Sequence, residues 1–286
     1  MPGDARKATV LPLDAGGFSR ELALAMQLAE AAATVIRRLF DSGPIPAREK
    51  ADHSPVTAAD LAANEIIVTG LRAALPDDAI LTEEVADDGR RFATDRFWLV
   101  DPLDGTRDFV ERSHEFAVHI ALLERGRPVV GVVALPMLGQ LAAAVHGAGA
   151  VIVEASGARR LAVARPRDIG ALRTGVSRYA MNPPLETFLE RSGLRQHAVP
   201  CGASVKQIRL AEGALDLCLT LHERECEWDS AAPGLIVTEA GGRVTDVDGA
   251  PLRYNQEDVH HRRGLLLSTG QHHAALMRLA QECFPR

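Results

Sequence analysis

The stretch that most restricts the fold lies between residues 116 and 154. Segments 116–123, 128–135, 141–145 and 150–154 are short and apolar, and Gly126, Gly139, Gly147 and Gly149 fall in the gaps between them. Apolar runs of this length bounded by glycine turns read as strands. Strands joined by such short turns pair antiparallel, because a parallel return needs a crossover of a dozen or more residues. An antiparallel sheet is therefore expected near the middle of the chain. The whole chain has 286 residues, 47% hydrophobic and 24% charged, which suits a globular protein of two domains or one large one. Only 4% of residues are aromatic, so the core is expected to be mostly Ala, Leu and Val.

On either side of this stretch the periodicity changes. Leu22, Met26, Ala29, Ala33, Ile36 and Phe40 recur at helical spacing, with Ser19 as the expected N-cap and Gly43-Pro44 as the stop. Residues 50–57 have no helical period and read as a strand and turn. Thr57-Ala58-Ala59-Asp60 then opens a second helix in capping-box style, running through Leu61, Asn64, Ile67, Val68 and Leu71. A short strand at 79–82 ends in Glu83-Glu84, and residues 85–95 read as a flexible polar loop. A composition change across 155–170 reads as a boundary. Beyond it, strands are expected at 173–177, 214–220, 244–247 and 265–268. Helices are expected at 185–191, at 204–212, from Asp229 or Ser230 to Gly241-Gly242, and at the end to about Cys283. Asp229 is the expected N-cap of its helix. The alternation reads as α/β. The expected division is a loose lead-in over 1–17, an α+β half over 18–160 and an α/β half over 161–286.

Chemistry concentrates at Trp98-Leu99-Val100-Asp101-Pro102-Leu103-Asp104-Gly105-Thr106. An apolar, β-prone run ends in a carboxylate, a proline, a second carboxylate, a glycine and a hydroxyl. Two carboxylates held this close repel unless a proton or cation lies between them, and hard divalent cations take such oxygen ligands. Gly105 lets a ligand approach the backbone, and Thr106 opens a helix whose N-terminus attracts anions. The same residues are also ordinary turn chemistry, so the stretch alone leaves both readings open. Asp60 and Asp229 likewise fit as helix-start acids, and Glu83 as solvated surface. Taken together, Asp60, Glu83, Asp101, Asp104 and Asp229 each end an apolar element or begin a helix. Acids converging in this way would need two or three divalent cations, and paired cations suit phosphate-ester hydrolysis. His119 alternates with apolar neighbours and reads as a strand residue facing polar surroundings, not as a ligand.

Other classes are disfavoured. A formal net charge of -6 argues against duplex nucleic acid as a partner. No apolar run approaches the ~18 residues of a membrane span, and the N-terminus has no basic-then-apolar leader, so a cytoplasmic location is expected. Cys201, Cys218, Cys226 and Cys283 form no Cys-x-x-Cys pair and suggest no disulfide framework.

These motifs carry a resemblance. Leu99-Val100-Asp101-Pro102-Leu103-Asp104-Gly105-Thr106 resembles the first signature of the inositol monophosphatase superfamily. Trp228-Asp229-Ser230-Ala231-Ala232-Pro233, followed by Glu239-Ala240-Gly241-Gly242, is similar to the second. Glu83-Glu84 stands where the family has its acidic pair, and Ser54-Pro55-Val56-Thr57-Ala58-Ala59-Asp60 matches its early motif. The resemblance covers residues 18–270. Within the superfamily the details look most like the 3′(2′),5′-bisphosphate nucleotidases, the CysQ-like branch. Ala231-Ala232-Pro233 and Pro251-Leu252-Arg253-Tyr254-Asn255 support that branch, as does Gly202-Ala203-Ser204-Val205-Lys206, in which Ala203 replaces a serine. Val237-Thr238-Glu239-Ala240-Gly241-Gly242 looks as much like inositol phosphatases.

The resemblance implies a layered αβαβα sandwich of the inositol monophosphatase/fructose-1,6-bisphosphatase type. It implies Mg²⁺ held by Glu83, Asp101, the Leu103 carbonyl, Asp104 and Asp229, two or three ions per site, with Li⁺ inhibitory. Thr106, bonded to Asp60, would position the attacking water, and Gly105 and Thr106 would bind the phosphate. Ser204, Lys206 and Glu223 would face the rest of the substrate, with Asp104 and Asp229 also near it. The implied reaction removes the 3′-phosphate of 3′-phosphoadenosine 5′-phosphate, a product of sulfate assimilation and sulfotransfer, by direct attack of water. Two other readings use the same residues: an inositol-1-phosphate or broad sugar-phosphate monophosphatase, and a non-catalytic metal-binding regulator. A homodimer is compatible with all three.

Overall fold

The structure is a computed structural model that describes residues 11–49, 55–165, 167–202 and 204–285. Residues 1–10 of the lead-in, the 50–54 turn with Ser54, and Ala203 of the Gly-Ala-Ser segment lie outside the described residues.

Helix α1 (Ser19–Asp41) leads through β1 (Arg48–Glu49) and β2 (Pro55–Val56), an antiparallel pair, to α2 (Ala58–Ala74). Strands β3 (Ala79–Thr82) and β4 (Arg96–Asp104) run parallel, and the short helix α3 (Thr106–Val110) follows. Then come β5 (Ala117–Glu124), β6 (Arg127–Leu135), β7 (Gln140–Val145), β8 (Gly149–Glu154) and β9 (Gly157–Arg160). All are antiparallel from β4 onward, which gives a seven-stranded sheet in sequential order. The glycine turns produce the meander that their spacing predicts.

The rest of the chain alternates β10 (Thr174–Ser177), α4 (Pro183–Ser192), β11 (Ala198–Cys201), α5 (Val205–Ala211), β12 (Leu217–Thr220) and α6 (Glu227–Glu239). Strands β13 (Arg243–Thr245) and β14 (Leu265–Ser268) and helix α7 (His273–Cys283) complete it. The sheet order is β11-β10-β12-β14-β13. Strands β11, β10 and β12 are parallel, and β14 is antiparallel to both its neighbours.

Strand pleating sorts the apolar residues into layers. On β4, Trp98 and Val100 face α1 and α2, packing with Ile36, Phe40, Ile67 and Leu71. Leu99 points to the opposite face, where Ile208 of α5 and Leu235 and Ile236 of α6 lie between the two sheets. Beyond the second sheet, Phe188 and Leu276 of α4 and α7 pack on Leu217, Leu219 and Leu266. The result is the expected αβαβα sandwich. The two sheets are joined through α6, which rides directly on β6. A Cβ on Gly131 would lie 2.9 Å from the Ala232 carbonyl oxygen and 3.1 Å from its Cα.

Several local expectations change. Ser19 is the first helical residue and not the N-cap; its hydroxyl donates to the Gly16 carbonyl (2.8 Å) at the end of a short 3₁₀ turn. Strand β9 occupies the segment read as a boundary, and β11 was not anticipated. Both are edge strands, where arginines (Arg159, Arg160) and a proline (Pro200) are tolerated and mask the strand pattern. The 85–95 loop is pinned. Arg91 is buried, and its guanidinium donates to Asp87 Oδ2 (2.8 Å), Asn255 Oδ1 (2.9 Å) and the Gln256 carbonyl (2.9 Å).

Candidate active site

The site starts where β4 stops pairing regularly with β5. Asp101 lies opposite His119 and Asp104 opposite Ala117, so one extra residue bulges out between them. Pro102 has no N–H to place in a ladder, which favours the break at this point. The Asp101 carboxylate accepts the Leu103 N–H (3.0 Å) and closes the bulge on itself. Gly105 has φ 90°, a left-handed conformation that other residues rarely adopt, and it turns the chain into α3. The Thr106 hydroxyl lies 3.2 Å from the Leu103 carbonyl and 2.8 Å from Asp60 Oδ1.

Two helix starts bring further acids to this loop by the same local device. In α2, Asp60 Oδ2 accepts the N–H (2.7 Å) and hydroxyl (2.6 Å) of Thr57, while its other oxygen takes Thr106. One carboxylate thus caps a helix and anchors the loop. In α6 the N-cap is Cys226, not Asp229. Asp229 stands three residues into the helix and accepts the Cys226 N–H through Oδ2 (2.7 Å). The helix begins earlier than its apolar pattern shows because Glu227 is buried and accepts the N–H groups of Asn255 and Gln256 (both 2.8 Å). Glu83 follows β3, its N–H donating to the Val100 carbonyl (3.2 Å).

The electrostatics mark these acids as one group. Burial, reinforced by Glu83, Asp104 and Asp229 and by a hydrogen bond with Glu83, pushes the Asp101 carboxyl well above the usual range. Asp229 is raised in the same way by burial and by Glu225, Asp104 and Glu83. Burial also raises Asp60, against the bonds from Thr57 and Thr106. Carboxyls that disfavour each other's charge to this degree need protons or cations among them.

His119 supplies a second sign. Its Nδ1 lies 3.1 Å from the Trp228 carbonyl, which can only accept, so Nδ1 carries the hydrogen. Burial holds the ring's pKa below its ordinary value, which leaves Nε2 as a lone pair. That atom is buried without a hydrogen-bond partner, 3.3 Å from Asp104 Oδ2. A lone pair facing a carboxylate oxygen fits a cation held nearby, and Asp101, Asp104 and His119 offer ligand atoms within 4.8 Å of one another. The donor set of carboxylate oxygens and a carbonyl suits a hard divalent ion. Sequence periodicity set His119 aside as a non-ligand; its place opposite Asp101 in the ladder could be found only through strand register.

A cavity of about 210 Å³ adjoins the loop, lined by Asp104, Gly105, Arg107, Asp108, Ser177, Tyr179, Ser204, Lys206, Thr220, His222, Glu225 and Asp229. Ser204 is engaged with Asp104, donating from its hydroxyl (2.5 Å) and its N–H (2.7 Å). Lys206 is buried at the cavity. Burial works against its charge, but Glu225 and Asp104 outweigh that effect and raise its pKa. Glu223 is exposed and does not line the cavity, whereas Glu225, two residues on, does. The loop 222–227 has no periodicity from which to choose between them. A larger cavity of about 360 Å³ lies among residues 246–263 and contains none of the metal-loop acids.

Comparison with known proteins agrees with this geometry. The profile of the Inositol monophosphatase family matches residues 19–284. The chain belongs to the inositol monophosphatase family. As a family member it is a phosphatase, and Asp60, Glu83, the 101–106 loop and Asp229 fall inside the matched span. It is 36% identical over 244 residues to a 3′(2′),5′-bisphosphate nucleotidase CysQ of Escherichia coli K12, covering 85% of this chain and 97% of that protein. The crystal structure of CysQ from Bacteroides thetaiotaomicron superposes with a TM-score of 0.76 at 30% identity, covering 89% of this chain and 99% of that one. An inositol monophosphatase from Thermotoga maritima superposes with a TM-score of 0.80 at 26% identity, covering 92% and 98%. Both branches of the inositol monophosphatase family share this fold, so backbone shape does not choose the alcohol. Among the described residues no helix is long and apolar enough to cross a membrane.

Proposed function

We propose that this chain removes the 3′-phosphate of a nucleoside 3′,5′-bisphosphate, 3′-phosphoadenosine 5′-phosphate in the first place, using Mg²⁺. The observation that carries the hydrolytic chemistry is the convergence of Asp101, Asp104 and Asp229 on one loop beside the cavity, where burial and then one another's charge hold Asp101 and Asp229 well above the usual carboxyl range. The nucleotide is supported by the similarity to a bisphosphate nucleotidase over 85% of the chain.

Glu83, Asp101, the Leu103 carbonyl, Asp104 and Asp229 would hold the metal ions. Divalent ions bound there supply a lowered pKa for the attacking water and charge neutralisation for the leaving oxygen. The protein's own residues do the orienting. Thr106 is fixed by Asp60 and aims its hydroxyl oxygen at the water, accepting a proton as its own passes to Asp60. Burial makes Asp60 a better proton acceptor than a solvated carboxylate. The Gly105 and Thr106 N–H groups face the phosphate. Water attacks phosphorus directly, with Thr106 committed to orienting that water and with no phospho-enzyme formed. Lys206 and Glu225 lie on the cavity wall where the alcohol leaves.

The test is phosphate release from 3′-phosphoadenosine 5′-phosphate and inositol 1-phosphate with Mg²⁺, with and without Li⁺ and a chelator. The bisphosphate should win in kcat/KM by at least about tenfold, with loss of activity on chelation and inhibition by Li⁺. A preference for the inositol ester overturns the nucleotidase reading.

A further inference from the structure

The cations around the cavity are not equivalent. Arg178 donates to Asp108 (2.7 Å) and also pairs with Glu115, and Arg209 donates to Glu115 (2.8 Å). Lys206 stands between Glu225 and Asp104. Each of these charges already faces a carboxylate. Arg107 lines the same cavity, is exposed, and has no carboxylate partner among the described residues. Its guanidinium carbon lies instead 4.5 Å from the centroid of the Tyr179 ring. Tyr179 belongs to the other half of the chain, two residues beyond the end of β10, and also lines the cavity.

A guanidinium laid on an aromatic ring gives up much of its rotamer freedom before any ligand arrives, while its N–H groups stay available in the plane. That planar fork is the natural partner of a phosphate, which it can grip through two parallel hydrogen bonds. Arg107 follows directly after Gly105 and Thr106, which face the reacting phosphate. Its side chain therefore starts beside the metal loop and ends on Tyr179 across the same cavity.

We propose that Arg107, steadied by Tyr179, is the receptor for the second, non-reacting phosphate of the substrate, and that this contact selects nucleoside bisphosphates over monophosphates. The inference rests on the nucleotidase reading above. Its chemistry is a dianionic phosphate on the sugar carbon that is not hydrolysed. Inositol 1-phosphate offers no such group, so the contact contributes nothing to its binding.

The experiment compares kcat/KM on 3′-phosphoadenosine 5′-phosphate and on adenosine 3′-monophosphate, which differ only in the second phosphate, at saturating Mg²⁺. Wild type should prefer the bisphosphate. R107Q should lower that preference tenfold or more, chiefly through KM, while R107K, a point charge without the fork, should retain part of it. Y179F keeps the ring and should keep the preference; Y179L should lower it a few-fold. An unchanged Mg²⁺-dependent rise in melting temperature in R107Q shows that the metal loop next to it is intact. A bisphosphate preference in wild type that survives R107Q overturns this inference and leaves the nucleotidase reading standing. Equal loss on both nucleotides in Y179L with no effect of R107Q also overturns it, because Tyr179 would then be stacking the base. A wild type that prefers inositol 1-phosphate overturns the nucleotidase reading and this inference with it.

Discussion

On one side of the cavity, Asp104 and Gly105 form the wall, and Asp101, Leu103 and Thr106 lie within the same six consecutive positions, 101–106, at the end of β4. On the other, Ser177 and Tyr179 come from the end of β10 and just beyond it, Ser204 and Lys206 from the start of α5, and Thr220 and Glu225 from the end of β12 and the loop after it. The first wall is set by local geometry: one bulge, one proline, one left-handed glycine and two capping boxes. The second exists only when the five-stranded sheet is assembled and docked through α6. A wall made locally keeps one geometry whatever the substrate. A wall gathered from strand ends, a helix start and loops can change its ligand without disturbing the chemistry.

The sharpest way to break this comparison is at the metal loop. Asp101→Asn should reduce turnover by about 10³-fold or more, since it removes a ligand shared among the ions. It should not lower the melting temperature of metal-free protein, because it also removes a charge that its buried neighbours oppose. Turnover near wild type would refute the metal assignment, and calorimetry with and without Mg²⁺ checks the rest.

Asp60→Asn should come next, at about 10²-fold in kcat with little change in KM, because Thr106 keeps a partner but the proton acceptor is lost. If KM rises instead while kcat holds, Asp60 serves binding and not proton transfer.

Gly131→Ala probes the junction between the walls. Its methyl would meet α6 backbone, which cannot swing aside, and overpacking of this kind costs about 2 kcal/mol. Thermal unfolding should shift down by several degrees while bisphosphate preference holds. An unshifted melting temperature would mean that α6 is free to lift from β6.

The smallest effect concerns acid. The packing of α1 and α2 on the large sheet is apolar, whereas the second sheet is pinned by a buried His273 bonded to Thr245 (2.9 Å) and Ser268 (2.8 Å). Burial lowers the pKa of His273 from 6.5 to about 4. Between those values the unfolded chain binds the proton and the folded one does not. Stability therefore falls as pH drops through this window, by up to about 1 kcal/mol per pH unit. His273→Gln should flatten that decline when melting temperatures at pH 7 and pH 5 are compared. An equal slope in both proteins would place the acid sensitivity elsewhere, His261 being the next group to replace.

What could be seen in advance follows the same division. The meander from β5 to β8 and helices α1 and α2 were legible because each hides its own apolar face, and periodicity reports that directly. Asp60 was visible as a capping residue from local pattern, whereas its second bond, to Thr106 across 46 positions, was implied only by the family resemblance. Asp229 was assigned to the N-cap because the apolar pattern of α6 starts late. The true start is set by Glu227, whose carboxylate holds a distant loop. His119 gave no local signal at all.

The sequence by itself determined most of the elements, the acidic loop at the end of β4 and its family, because strand ends, caps and turns depend on neighbours within a few residues. Only the tertiary structure decided that His119 turns an orphaned nitrogen toward Asp104, that Glu225 and not Glu223 lines the cavity, and that Arg107 lies on Tyr179. Those relations join adjacent strands in register or groups from the two sheets. They depend on strand register and on α6 packing against Gly131, and no short-range pattern encodes where two distant surfaces will meet.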